Sequence, residues 1–214
     1  MEQPWNLDHP LIGVFLAVTF LSFLPAVLIM FTSFTRIIIV LSFLRQAIGG
    51  AQIPPNQVII GLSLFMTLFI MSPTLDAVAK VSITPFMEEK IDIVSALKNA
   101  EEPAKKFMLQ HTRQKDIALF LRLSNEDNPA KPTDVPLKVL VPAFSISELK
   151  TAFIMGFLIY LPFIIIDMVV ASVMLSMGMM MVPPVMVSMP FKLLLFVLVD
   201  GWNIIMGSLA RSFQ

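Results

Sequence analysis

The sequence contains no cysteine, which excludes disulfides, iron–sulfur clusters and thiol catalysis in one step. Charge is scarce too: 14% of residues are Asp, Glu, Lys or Arg, against roughly 25% in an ordinary soluble domain. What charge there is balances, 15 basic residues against 15 acidic, so no basic stripe of the kind that binds nucleic acid is expected. Two histidines occur, His9 and His111, far apart and in polar surroundings, and both read as solvated surface residues. With no HExxH helix and no GxxxxGK phosphate loop, nothing favours an enzyme, a bound metal ion or a cofactor.

Apolar residues fill the chain instead, 57% of 214, which suits lipid or burial in a large assembly. Twenty of the thirty charges fall between Asp76 and Lys138, ten of each sign. That clustering divides the chain into an N-terminal hydrophobic hairpin (1–75), a charged helical domain (76–143) with an exposed loop at 124–136, and a C-terminal hydrophobic hairpin (144–214). The expected fold is all-α, built from integral membrane helical hairpins.

From Leu11 to Thr35 there are 25 residues without a charge, more than the roughly 20 a helix needs to cross a bilayer core. Pro25 is expected to kink this helix, as membrane helices tolerate. Apolar character resumes after Arg36 as IIIVLSFLR, so the helix is expected to run on past one membrane thickness. GGAQIPPN, Gly49 to Asn56, reads as a turn, and a second apolar run covers Val58 to Leu75. The third region opens with SISE, where Ser145 and Glu148 have the spacing of a capping box. It continues to Met181, with Asp167 its one charge after Lys150. Pro183 and Pro184 are expected to stop it, since proline lacks an amide donor and biases its predecessor away from helix. A fourth run, Val185 to Val199, contains Lys192 and ends at Asp200.

The N-terminus carries no Lys or Arg before the first apolar run and so lacks the positive region of a secretory signal. Arg36 and Arg45 in the first connection favour a cytoplasmic side for that connection, which puts the charged middle outside. At more than about 60 residues, that middle has no vote of its own.

The charges beside the apolar runs are the informative ones. A charge at mid-bilayer costs about 2.5–3.5 kcal/mol on insertion scales, so such residues pair, face a protein interior or reach to the wet interface. Glu148 and Lys192 lie on different expected helices and are candidates for a pair. Asp167, deep in its run, calls for a buried partner or a subunit contact. Seven of sixteen methionines fall between Met174 and Met189. Three readings stay open for them: membrane-helix filler, a soft thioether site for Cu(I), or a deformable closure, since methionine is unbranched and polarizable.

VPAFSISELKTAFIMGFLIYLPFIIIDMVVASVMLSMGMMMVPP, followed by PFKLLLFVLVDGWNIIMGSLARSF, closely resembles the FliP family of flagellar and virulence type III secretion export-gate proteins. The likeness takes in FTSFTRIIIVLSFLRQAIG and PPNQVIIGLSLFMTLFIMSP and covers essentially the whole chain. The wording of MGMMMVPP and DGWNIIMGSLARSF favours the flagellar branch over the injectisome branch. The resemblance implies a homo-oligomer of about five copies closed around an axis, assembled with FliQ and FliR into a helical funnel. Its helices would be bent hairpins raised largely out of the bilayer plane. It implies a place in the bacterial inner membrane at the flagellar basal body, with a periplasmic polar domain and unfolded flagellar proteins as cargo. By the same resemblance Met179, Met180 and Met181 match a methionine gasket, with the helix break at Pro183 and Pro184. Glu148, Lys150, Asp167 and Lys192 stand where the family has charged residues and are assigned to contacts between subunits. Two other classes remain as alternatives: a proton-coupled transporter with Asp167 titrating, and a Cu(I)-handling membrane protein.

Overall fold

The computed structural model describes residues 10–49, 53–126, 129–179 and 181–214. His9 and Met180 lie outside the described residues. Among those described the regular structure is all helical, with no strand.

Helix α1 (Pro10–Phe31) contains Pro25 yet runs through it. The chain breaks at Thr32–Ser33, where α2 (Phe34–Ala47) sets off at 87° to the last turns of α1. The expected continuation past Arg36 is therefore corrected to a sharp bend. Three hydroxyl bonds account for it. Thr32 donates to the Leu28 carbonyl, Thr35 donates to Ile29 at 2.6 Å, and the Phe34 amide donates to Thr32 Oγ1 at 3.3 Å. Side chains thus serve the groups that a continuous helix would pair along its backbone.

Helix α3 (Asn56–Val78) continues through a wider π turn (Ala79–Ile83) into α4 (Thr84–Met87). Pro85 explains the widening. It has no amide to offer the carbonyl of Val81 and its ring crowds that oxygen. The Val81 carbonyl instead accepts from Asn99 Nδ2 at 3.2 Å, and Ser82 Oγ donates to the Ala96 carbonyl at 2.7 Å. Both bonds reach α5 (Ile93–His111), whose start is capped by Asp92 accepting from the Ser95 amide. Helix α6 (Gln114–Leu123) follows after a break at Thr112–Arg113.

The spine is α7, Leu137–Ser176, 40 residues and so about 60 Å long, twice the roughly 30 Å hydrocarbon core. It starts behind Pro136, eight residues before Ser145. The capping box is thereby overturned: Ser145 Oγ donates back to the Val141 carbonyl at 2.9 Å, and Glu148 is fully buried. Helices α8 (Pro184–Leu198) and α9 (Gly201–Arg211) close the chain, joined by Asp200 in the left-handed region and bent by 64°.

Two clusters share this spine. One gathers Ile37, Val40, Leu41 and Leu44 of α2 with Ala152 and Phe163 of α7. The other gathers Phe107 and Met108 of α5 and Leu121 of α6 with Leu140 and Phe144 of α7. Much apolar surface stays outside, including Phe65, Phe69, Phe157 and Met168. Exposure on this scale marks a chain made for lipid or for neighbouring subunits. Helices 56–87 and 137–176 are each long and apolar enough to cross a membrane, and each bent pair would add a broken span.

Helices α2 and α7 come close at Gly156, where a Cβ would stand 2.7 Å from the Phe43 ring. Gly156→Ala is expected to force the two helices apart and to destabilise the chain by about 1–3 kcal/mol, the usual cost of overpacking. Thermal unfolding of the purified protein in detergent measures it.

Candidate functional site: the methionine turn and the buried charges

Where α7 ends, the chain makes a Schellman turn. The Met179 amide donates to the Met174 carbonyl and the Gly178 amide to Leu175, both at 3.0 Å, with Gly178 at φ +75°. This is the arrangement glycine permits one position past a helix end. Termination is therefore complete at Ser176–Gly178, before either proline. Pro183 and Pro184 do not stop α7; they start α8, as its N-cap and first residue, where a missing amide costs nothing. Between the two devices the methionines are presented outward: Met179 is 42% and Met181 98% exposed, and Met177 and Met186 are exposed beside them.

Below the turn, α7 and α8 are fastened by a charge pair whose lysine is buried and whose carboxylate is half-buried. Lys192 Nζ donates to Asp167 Oδ2 at 2.5 Å, while Ser188 Oγ donates to Oδ1 of the same carboxylate at 2.5 Å. Lys192 is 2% exposed and approaches Gly49 at the end of α2, a place that favours a cation. The expected Glu148–Lys192 pair is thereby corrected, because each residue is engaged elsewhere.

Glu148 belongs to Arg36. The guanidinium of Arg36 makes a two-pronged bond to the carboxylate, Nε to Oε2 at 2.8 Å with Nη2 on Oε1. Its remaining nitrogen, Nη1, donates to the carbonyl and hydroxyl of Ser212 at 2.8 and 2.9 Å. The Phe213 ring lies 3.7 Å from the guanidinium carbon, a cation–π contact. Phe213 stacks in turn on His111 at 5.1 Å, and His111 on Phe107 at 4.7 Å. His111 is thus a member of an aromatic column and not the solvated residue that its polar neighbours in sequence suggest. Arg36 stood out in the sequence as a charge beside an apolar run, but nothing there named its partner; Ser212 and Phe213 had no distinguishing signal among the positions around them.

A third cluster ties α6 to α7. Asp116 Oδ2 accepts from Arg113 Nε at 2.8 Å and from Ser147 Oγ at 2.5 Å. Burial pushes the Asp116 carboxyl up, but the Ser147 hydroxyl and the Arg113 guanidinium outweigh it and hold it below the usual carboxylate range. Of the four charges singled out in the sequence, Glu148, Asp167 and Lys192 find partners inside the chain, and Lys150 stands exposed.

A family model described as the FliP family matches residues 17–209. The chain is 57% identical over 212 residues to the flagellar biosynthetic protein FliP of Bacillus subtilis (strain 168), spanning 99% of this chain and 96% of that one. The chain belongs to the FliP family. Similar proteins with the same name are those of Pectobacterium carotovorum subsp. carotovorum, 53% identical over 99% of this chain and 81% of its own, and of Aquifex aeolicus (strain VF5), 51% identical over 95% and 86%. FliP membership makes it a component of the flagellar protein-export apparatus, and its long apolar helices fit a membrane protein.

Two outcomes follow for this FliP chain. Arg36→Met leaves the Glu148 carboxylate buried and uncompensated, and is expected to cost about 3–5 kcal/mol. Replacing both partners by methionine is expected to recover at least half of that loss in a double-mutant cycle read by thermal unfolding. The second concerns pH. Burial, with help from Arg36, holds His111 at about 4, below its ordinary 6.5. The unfolded chain takes up a proton as pH falls through 6.5, and the folded chain does so near 4. Stability is therefore expected to fall as pH drops across that window, and His111→Asn to flatten the slope of the unfolding midpoint against pH there.

Proposed function

We propose that this chain is a pore-forming subunit of the flagellar type III export gate, passing unfolded flagellar proteins across the bacterial inner membrane at the basal body. About five copies close around an axis together with FliQ and FliR. The charged middle, 76–143, faces the periplasm between the hairpins 1–75 and 144–214. Met179, Met180 and Met181 form the constriction that seals the empty pore. The chain acts as a conduit and performs no catalysis.

The α7–α8 turn carries this reading. Its stem is rigid, held by the Asp167–Lys192 pair and by a helix cap at either end, while its tip presents exposed methionines. A rigid stem places the tip reproducibly in every copy. Flexible thioether side chains then close the gap between copies and give way around a passing chain of any sequence. Asp167 is held by both Lys192 and Ser188, a fastening of α8 to α7 that fits a fixed hairpin in a conduit. The relatives described above are all flagellar, which favours the flagellar branch over the injectisome branch.

Replacement of Met179, Met180 and Met181 by alanine is expected to raise the small-ion permeability of membranes carrying the co-expressed gate several-fold, while native mass spectrometry shows the same assembled mass. Unchanged permeability in a correctly assembled gate overturns the seal. A purified chain that never assembles with the two small partners overturns the gate.

A further inference from the structure

The bend between α1 and α2 falls where the sequence offers no breaker. Sharp helix kinks arise at proline, at glycine–serine pairs, at π turns, or where a side chain enters the hydrogen-bond ladder. Pro25 lies eight residues before Ser33 and Gly49 sixteen after it, yet the two helices meet there at 87°. Ser33 itself keeps a right-handed backbone, φ −67° and ψ −5°. The last cause is the one at work. Thr35 Oγ1 donates to the Ile29 carbonyl at 2.6 Å, six residues back. In a straight helix residues six apart are separated by about 9 Å along the axis, so this bond exists only in the bent form.

Ser33 is its counterpart. Elsewhere in the helices, serine and threonine hydroxyls donate to the carbonyl four residues back: Ser22 to Val18, Ser42 to Ile38, Ser63 to Ile59 and Thr67 to Ser63, at 2.6–2.9 Å. That is the ordinary habit of these side chains in a helix. By the same rule Ser33 would donate to Ile29, whose carbonyl Thr35 holds. Its hydroxyl is instead buried with no partner, the one side-chain atom so placed among the described residues. A buried donor left unmet is rare and costly in a folded chain. Straightening the joint satisfies it and breaks the Thr35 bond in one movement.

The two sides of the joint are held unequally. Arg36, three residues after Ser33, is clamped by Glu148 and Ser212, which fixes α2. Helix α1 is tied near its end, where Phe31 packs against the cluster of Phe107 and Phe144, while Phe15, Leu21 and Phe23 further back are exposed. Helix α1 is therefore the arm free to swing.

We infer that the α1–α2 joint is a two-state hinge in which Thr35 and Ser33 exchange the Ile29 carbonyl. Thr35 holds it in the bent form, which the packing of Phe31 favours. Ser33 holds it in an extended form, where residues 10–47 make one helix of about 57 Å. The hinge lets one chain present the apolar surface of α1 either square to α2 or in line with it. It stands whether or not the methionine turn seals a pore.

A chain without cysteine suits the test. Nitroxide labels attached through Val27→Cys and Gln46→Cys, both at exposed positions, report the joint by pulsed electron spin distance measurement on the full chain in detergent. The two positions are about 21 Å apart across a right angle and about 28 Å apart in one helix. Both distances are expected, the shorter one dominant. Thr35→Val keeps the side-chain shape without the donor, and is expected to raise the ratio of long to short about three- to tenfold. Thr35→Ser keeps the donor and is expected to leave the ratio as it was. Ser33→Ala removes the extended form's bond and the unmet donor together, and is expected to lower the ratio by at least the same factor. A single short distance in all four chains overturns the hinge. So does a ratio that Ser33→Ala raises, that Thr35→Val leaves unchanged, or that Thr35→Val and Thr35→Ser shift alike. A broad spread with no peak at the longer distance makes the joint merely loose and overturns it too.

Discussion

The structure depends first on a charged group that has to be buried. Arg36 sits at the start of α2, among residues that make the core of the chain, and its guanidinium is out of water. A buried cation is tolerable when every donor is met and a counter-charge is at hand. Glu148 meets those needs from the middle of α7, and Ser212 with the face of Phe213 from the C-terminal end of the chain. One side chain thereby fixes α2 to the middle of α7 and draws the C-terminal end of the chain back across both. His111 and Phe107 continue the contact into α5. This group joins the Asp116–Ser147 contact and the Phe107–Phe144 cluster in coupling the polar domain to the apolar helices.

The same economy appears at the other end of α7. Lys192 is buried against Asp167 and Ser188, so that the α7–α8 hairpin behaves as a stiff bar. The charge pair sits below the turn, while at the tip Met179 and Met181 are exposed. Around these fixed points the outer faces of α3, α7 and α8 remain apolar and uncovered. A chain of this kind is finished by its surroundings: its internal bonds set the shape of a subunit, and its exterior is matched to lipid and to other subunits.

Apolar length and charge clustering were legible without coordinates because they are properties of composition. The all-helical class is among the legible features; the break at Thr112–Arg113 that divides the middle into α5 and α6 is not, since the spacing of Phe107 and Met108, and of Ile117 and Leu121, is helical on either side of it. Boundaries were less legible. Ser145 and Glu148 have a capping spacing, but Pro136 starts the helix earlier and tertiary contacts claim both residues. Pro183 and Pro184 were credited with ending α7 when Gly178 had already done so, since glycine and proline both punctuate a helix and the sequence does not say which acts first. Arg36, counted from sequence as a guide to membrane orientation, is buried against Glu148.

By itself, then, the sequence determined that this is a helical, largely apolar chain with one polar domain, a methionine-rich turn and a handful of charges too costly to leave alone in lipid. Which charge answers which was decided by tertiary structure alone. Glu148 had three cations within plausible reach along the chain, Arg36, Lys150 and Lys192, and periodicity could place each on a helix without saying which helices touch. Pairing is a property of distance in space, and distances between residues more than a hundred positions apart are set by how α2, α7 and α8 pack. The sequence supplied the need for partners; the packing chose them.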